Sequence, residues 1–255
     1  MMSSSAAEQF DLSDRVAVVT GGSRGLGREM VRAFAAAGAD VVIASRKLDN
    51  CTLLAHEIEE TTKRRALAVA CHVGHWDDCD RLVETVYAEW GRIDVFVNNA
   101  GMSPLYGELT DVSEALWDKV QDVNLKGPFR LAALAGARMK AAGRGSIINV
   151  STAGSRRPAP SFLPYAAAKA GLNALTVGFA HALGPEVRVN TLMPGPFLTD
   201  VTEAWDDEQT SLANSGFALR RIGLPHEIVG AALYLASDAS SFTTGATLSV
   251  DGGMP

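Results

Sequence analysis

Two side chains here are spaced for proton chemistry: Tyr165 and Lys169, four residues apart, with Ser151 fourteen residues before the tyrosine. On a helix, residues four apart share a face, one turn from each other. The surrounding pattern is helical, since Tyr165, Leu172, Leu175, Phe179 and Leu183 recur on one side with small residues between them. A phenol with the ordinary pKa of about 10 is a poor acid or base near neutrality. Moving it to ~7 takes roughly 4 kcal/mol of preferential stabilisation of the phenolate. A neighbouring cation supplies a shift of ~1–3 units, so Lys169 accounts for much of this but not all. By spacing alone, the pair equally suits an alanine-rich helix with a surface lysine.

The elements ahead of this helix form a second candidate site. Residues 15–20 are a β-branched run that enters Gly21-Gly22-Ser23-Arg24-Gly25-Leu26-Gly27, then a helix patterned on Met30, Val31 and Phe34. That helix ends at Gly38, and a strand over 41–45 follows. Glycines let a backbone approach a pyrophosphate, and unpaired amides at a helix N-terminus bind it. Gly21, Gly25 and Gly27 are spaced differently from the common dinucleotide fingerprint, and a tight turn without a ligand would use them equally well.

The second strand closes on Ser45-Arg46-Lys47. NAD sites usually place a carboxylate here for the ribose hydroxyls. A hydroxyl and two cations, with Arg24 in the glycine turn, fit a 2′-phosphate and therefore NADP(H). Solvated cations at the start of the next helix are the plainer alternative.

The alternation continues: helix 48–62, strand 66–73, helix 77–90, strand 93–98, helices 113–120 and 125–141, and strand 146–150. The Tyr165 helix, strand 187–193, helix 225–237 and strand 246–250 complete it. This pattern predicts an α/β fold: one doubly wound domain with a parallel sheet of about seven strands and helices on both faces. Ligand sites in such sheets lie at the carboxyl ends of strands, where Asn98-Asn99-Ala100-Gly101, Ser151 and Pro194-Gly195 fall. Residues 1–10 read as a flexible tail, 11–255 as a single domain, and 197–224 as a substrate lid containing Trp205 and Asp206-Asp207-Glu208.

Composition narrows the class. The chain has 255 residues, 47% hydrophobic and 20% charged, with a net charge of −6. No basic surplus exists to neutralise phosphates, so no nucleic-acid or anionic-membrane partner is expected. No apolar stretch approaches membrane-spanning length. Cys51, Cys71 and Cys79 are odd in number and form no Cys-x-x-Cys pair, which suits a reducing, cytoplasmic setting. His72, His75 and Cys79 match no closed zinc pattern, so no metal is expected.

Taken together, Thr20-Gly-x-x-x-Gly-x-Gly, Asn98-Asn-Ala-Gly, Asn124, Ser151, Tyr165-x-x-x-Lys169, Pro194-Gly195 and Asp251-Gly252-Gly253 resemble the short-chain dehydrogenase/reductase family over residues 12–253. The resemblance implies a Rossmann fold and a catalytic set of Asn124, Ser151, Tyr165 and Lys169. Tyr165 would be the acid/base, and Ser151 would hold the substrate carbonyl oxygen. Lys169 would bind the nicotinamide ribose and favour the phenolate, with the oxidised nicotinamide as the second cation. Asn124 would position a relay water. The cofactor set would comprise Gly21, Ser23, Arg24, Gly25, Leu26, Gly27, Ser45, Arg46, Val73, Asn98, Ala100 and Gly101. Tyr165, Lys169, Pro194, Gly195, Phe197 and Thr199 would meet the nicotinamide end. Many relatives carry Asp-Val where this chain has His72-Val73, so His72 is an open question as an adenine contact.

The expected substrate is a small carbonyl compound or alcohol, or a 3-oxoacyl thioester. Bacterial β-ketoacyl-carrier-protein reductases and gluconate-type dehydrogenases are the nearest branches. Arg130 fits a carrier-docking pattern, but Gly184-Pro185-Glu186 puts acidic charge where an acidic carrier would sit. Arg156 and Arg157 either meet an acidic substrate or are solvated loop residues. A non-catalytic dinucleotide sensor is the alternative class. Gly171, Ala174 and Gly178 permit close helix–helix approach, and relatives assemble commonly as tetramers, so a homotetramer or homodimer is expected.

Overall fold

A computed structural model describes residues 5–199 and 216–254. The central strand β1 (Val16–Thr20) is buried along its length, as its β-branched sequence requires. It feeds α1 (Gly25–Ala36), β2 (Asp40–Ser45), α2 (Leu48–Thr62), β3 (Ala66–Ala70), α3 (Trp76–Trp90) and β4 (Val95–Asn98). The chain continues through α4 (Glu114–Gln121), α5 (Gly127–Ala141), β5 (Gly145–Val150), α6 (Leu163–Leu183), β6 (Val187–Pro194), α7 (Val229–Ala236) and β7 (Thr247–Val250). Ser5 caps a single helical turn, Ala6–Gln9, within the segment expected to be a tail.

All seven strands are parallel, in the order β3-β2-β1-β4-β5-β6-β7. Alternate residues of β1 point to opposite faces. Ala17 and Val19 join a core with Met30, Phe34, Leu54 and Leu235, while Val16 and Val18 join one with Leu82, Val86, Leu131 and Met139. The order reverses between β1 and β4, so their carboxyl ends diverge into a crevice.

Three local expectations change. Strand β3 stops at Ala70, because the His72 amide donates to Asp78 Oδ2 at 2.9 Å instead of to a strand. Helices α4 and α5 are joined through a π-turn, Asp122–Lys126, rather than separated. A Cβ on Gly127 would fall 1.9 Å from the Val73 carbonyl, so only glycine admits that approach. The buried face of α6 is Lys169, Leu172, Thr176, Ala180 and Leu183; Leu175 and Phe179 lie half out of it. A chain of polar side chains fixes this face to the sheet: Asn98 to Asn149 (2.9 Å), Asn149 to Thr176 (2.9 Å) and Thr191 to Thr176 (2.9 Å).

Of the expected lid, residues 200–215, which include Trp205 and Asp206-Asp207-Glu208, lie outside the described residues. On its flanks, the Leu198 amide donates to Gly223 O (2.8 Å) and the Gly223 amide to Pro196 O (3.1 Å). The last described residues latch three loops together. Ala218 and Leu219 amides donate to Gly253 and Gly252 carbonyls, and Arg157 Nη1 donates to Met254 O at 2.6 Å.

Candidate active site

The glycine turn crosses the β1 end of the crevice. Gly21 has φ +63°, and a Cβ there would lie 2.9 Å from Ala100 Cα. A Cβ on Gly27 would lie 2.3 Å from the Gly21 carbonyl, so the turn closes only with glycine. Position 25 is open by comparison, where among the described residues a Cβ would meet only Thr199, at 3.7 Å. No side chain caps α1, leaving its first-turn amides to a ligand. These features fit a dinucleotide pyrophosphate.

Asn99, absent from the expected set, braces this turn through Nδ2 to Thr20 O (2.9 Å) and Gly21 O (3.2 Å). Thr20 Oγ1 accepts from the Asn99 and Ala100 amides. Asn98 instead points into the core, donating to Asn149 and to Pro128 O, and its Oδ1 has no partner among the described residues. Two adjacent residues at a strand end face opposite ways, and the sequence alone does not say which faces the ligand.

At the far end of β2, Ser23 Oγ donates to Ser45 Oγ at 3.0 Å, and Ser45 Oγ lies 3.1 Å from Cys51 Sγ. Arg24, Arg46 and Lys47 are exposed beside them. His72 Nδ1 accepts from the Gly74 amide (3.2 Å), and its ring stacks on His75 at 4.2 Å. Burial and the positive charge of its neighbours hold that imidazole below its usual pKa. Val73 is buried, its carbonyl accepting from Cys79 Sγ.

Beyond the switch point, Lys169 is buried, and its Nζ donates to Val150 O at 2.7 Å. The ammonium lies 5.9 Å from the centre of the Tyr165 ring. Burial lowers the lysine to about 8. Tyr165 is pushed up to about 12 by desolvation, against which a hydrogen bond from Thr152 works. The expectation that Lys169 pulls the phenol down is therefore not met in the free protein; desolvation of the phenolate is the larger effect.

Ser151 and Thr152 follow directly on the end of β5. Ser151 is 2% exposed, and its Oγ lies 3.4 Å from both Lys169 O and Ser155 Oγ. Next to it, Thr152 Oγ1 accepts from the Gly154 amide at 3.2 Å. Asn124 is fully buried in the π-turn, with Nδ2 donating to Met102 O and Val120 O (2.9 Å each) and Oδ1 accepting from the Met102 amide. Its amide nitrogen thus ties the loop after β4 to the last turn of α4. Gly101 lies between Asn124 and Lys169, where a Cβ would sit 3.0 Å from Asn124 Oδ1 and 3.6 Å from Lys169 Nζ.

Pro104, Tyr106, Leu116, Val120, Phe162 and Pro164 form an apolar wall beside Tyr165. Tyr106, another residue missed at first, donates its hydroxyl to Pro160 O and accepts from the Leu163 amide at 2.9 Å, tying this wall to the start of α6. Gly195 packs on Asp251, where a Cβ would lie 2.8 Å from its Cα. Phe197 is buried against Gly223, and Pro194 ends β6.

The fold and this site define an oxidoreductase that binds a nicotinamide dinucleotide at the switch point of a Rossmann sheet. Comparison with known proteins agrees. Residues 21–255 match the family model described as enoyl-(acyl carrier protein) reductase. Human dehydrogenase/reductase SDR family member 4 is 36% identical over 261 residues, covering 100% of this chain and 92% of the relative. The 3-oxoacyl-[acyl-carrier-protein] reductase FabG of Chlamydia trachomatis is 39% identical over 95% of this chain and 98% of the relative. A gluconate 5-dehydrogenase from Burkholderia cenocepacia, solved with NADP and tartrate, superposes with a TM-score of 0.94 at 33% identity, covering 98% of each chain. The chain belongs to the short-chain dehydrogenase/reductase family, enzymes acting on CH–OH and C=O groups. Among the described residues, no helix is long and apolar enough to cross a membrane.

Proposed function

We propose that this protein is an NADPH-dependent reductase of small ketones, with Tyr165 as the acid. The observation that carries this reading is the Tyr165 phenol beside an apolar wall, with the buried Lys169 ammonium 5.9 Å from its ring centre. The dinucleotide supplies the hydride when bound. Tyr165 Oη gives its proton to the carbonyl oxygen. Lys169, anchored on Val150 O, keeps two further N–H donors for ribose hydroxyls and for returning a proton to the phenol.

The relatives' names point to different substrates, so the choice rests on this chain's side chains. Arg130 forms a bidentate pair with Asp80 (2.6 and 2.7 Å) and stacks over Trp76 at 4.7 Å. A guanidinium held on both its edge and its face is a poor dock for an acidic carrier protein. Arg157 donates to Met254 O, and Arg156 and Arg157 are both exposed on this loop. Support for NADPH comes from Ser45 in place of a carboxylate, with Arg46 and Lys47 beside it.

The test is a panel of small ketones, 3-oxoacyl thioesters and keto-sugar acids, each assayed with NADPH and NADH. Small ketones with NADPH should give the highest kcat/KM. Tyr165→Phe should lose more than about 1000-fold in kcat while its NADPH Kd stays within about threefold. Fastest turnover of a keto-sugar acid would reassign the substrate through Arg156. Wild-type rates from the Phe variant would end the proposed mechanism.

A further inference from the structure

We infer that Tyr106 is a positioning residue for the acid: its hydroxyl supplies the cap that α6 lacks, on the helix whose third residue is Tyr165. This inference rests on the reductase reading above.

A helix leaves its first amides without partners of its own, and a Ser, Thr, Asp or Asn at the N-cap usually takes one of them. At the start of α6 that position is Phe162, which makes no side-chain cap bond. Pro164 follows in the first turn and has no N–H to offer. The local sequence therefore does not fasten this helix start, although the proton donor sits there. The fastening comes from a distance. Tyr106 Oη accepts from the Leu163 amide at 2.9 Å and donates to Pro160 O, so one phenol spans both sides of the helix start. A single hydroxyl fills both roles, which a phenylalanine ring cannot do. Gln121, the last residue of α4, adds a second hold, its Nε2 donating to Pro164 O at 3.1 Å.

Both holds run back to the same place. Tyr106 belongs to the loop after β4, and Asn124 grips that loop at Met102, donating to its carbonyl (2.9 Å) and accepting from its amide (3.2 Å). Gln121 immediately precedes the π-turn that carries Asn124. The start of α6 is thus tied by Tyr106 to the loop that Asn124 holds, and by Gln121 to the helix that leads into Asn124. One turn further on, Lys169 Nζ is fixed separately, by its bond to Val150 O at 2.7 Å. With Leu163 released, the first turn can unwind, and the Tyr165 ring then moves against an ammonium that stays in place. Misplacing a reacting group by about 1 Å costs on the order of 100-fold in rate, so a cap that touches no reacting atom still governs turnover.

The experiment compares Tyr106→Phe, Gln121→Leu and, as a control, Tyr234→Phe on the best ketone of the panel. Tyr234 also bonds through its hydroxyl, to Thr243 Oγ1 at 2.8 Å, but there it joins α7 to the loop before β7. Tyr106→Phe keeps the ring against the wall and removes only the cap. Its kcat should fall about tenfold, with ketone KM and NADPH Kd within about twofold of wild type. Amide deuterium exchange over residues 163–168 should quicken by about fivefold or more, while the glycine turn exchanges as before. Gln121→Leu should lower kcat in the same direction by about threefold, and Tyr234→Phe should keep it within about twofold. A Tyr106→Phe kcat within about threefold of wild type, or a loss carried by KM alone, overturns the inference and leaves Tyr106 as wall only. Unchanged exchange at the start of α6, or an equal kcat loss in Tyr234→Phe, overturns it as well. In each of these cases the role of Tyr165 stands, because Tyr165→Phe judges it separately. A wild type inert toward the whole panel overturns both.

Discussion

At Tyr165 two effects oppose each other, and in the protein alone the wrong one for catalysis prevails. Burial raises the phenol to about 12, and the Thr152 hydrogen bond recovers only part of that. The folded value lies above the unfolded one, so the neutral phenol stabilises the fold below pH ~10, and that contribution is lost as pH rises through about 12. The cation missing from the field is the one an oxidised nicotinamide brings. Phenolate absorbance of wild type minus Tyr165→Phe should therefore titrate well above pH 10 in the free protein. Saturating NADP⁺ should bring it down by at least about 2 units; an unmoved titration would refute this coupling. The Tyr165–Lys169 spacing was legible because a helix turns a four-residue interval into one face. Which of Asn98 and Asn99 faces the ligand was not legible. Neighbours in extended chain point opposite ways, and a shift of one residue exchanges them.

Among the elements, the joint between α4 and α5 shows what pattern reading misses. Apolar periodicity placed two helices with Asn124 between them, yet backbone hydrogen bonding runs on through a π-turn. The extra residue turns Asn124 inward, where it grips Met102 and Val120. The cause is non-local: α5 begins against the Val73 carbonyl, at a contact only a glycine permits. Gly127→Ala must push these two backbones apart. It should cost about 2 kcal/mol, seen as a thermal midpoint lower by about 5 °C, and should weaken NADPH binding by displacing Val73. A midpoint within a degree of wild type would show that the contact is soft. The shortened β3 has a similar origin, since Asp78 six residues ahead captures the His72 amide.

Over the whole molecule, topology was the most legible feature, because regular strand–helix alternation with right-handed crossovers leaves few sheet orders open. The outward side of α6 was harder to place. Gly171 packs within the subunit against Leu125, whereas a Cβ on Gly178 would meet nothing among the described residues. Beside Gly178, Val177 is 47% exposed, and on α5 Phe129 is 41% exposed with its ring 5.7 Å from Phe179. A flat face of small and apolar residues across two helices suits a two-fold contact with a second copy. Sedimentation should give a tetramer, and Val177→Arg should reduce it to smaller species. A monomeric wild type would reject this assembly.

The latch made by residues 252–254 also couples separate parts of the molecule. The Gly252, Gly253 and Met254 carbonyls hold Leu219, Ala218 and Arg157. These three contacts lie outside both the glycine turn and the Tyr165 helix. The loop after β5, the segment before residue 220 and the residues after β7 are thus tied to one another by main-chain carbonyls, so displacing any one of them slackens the other two.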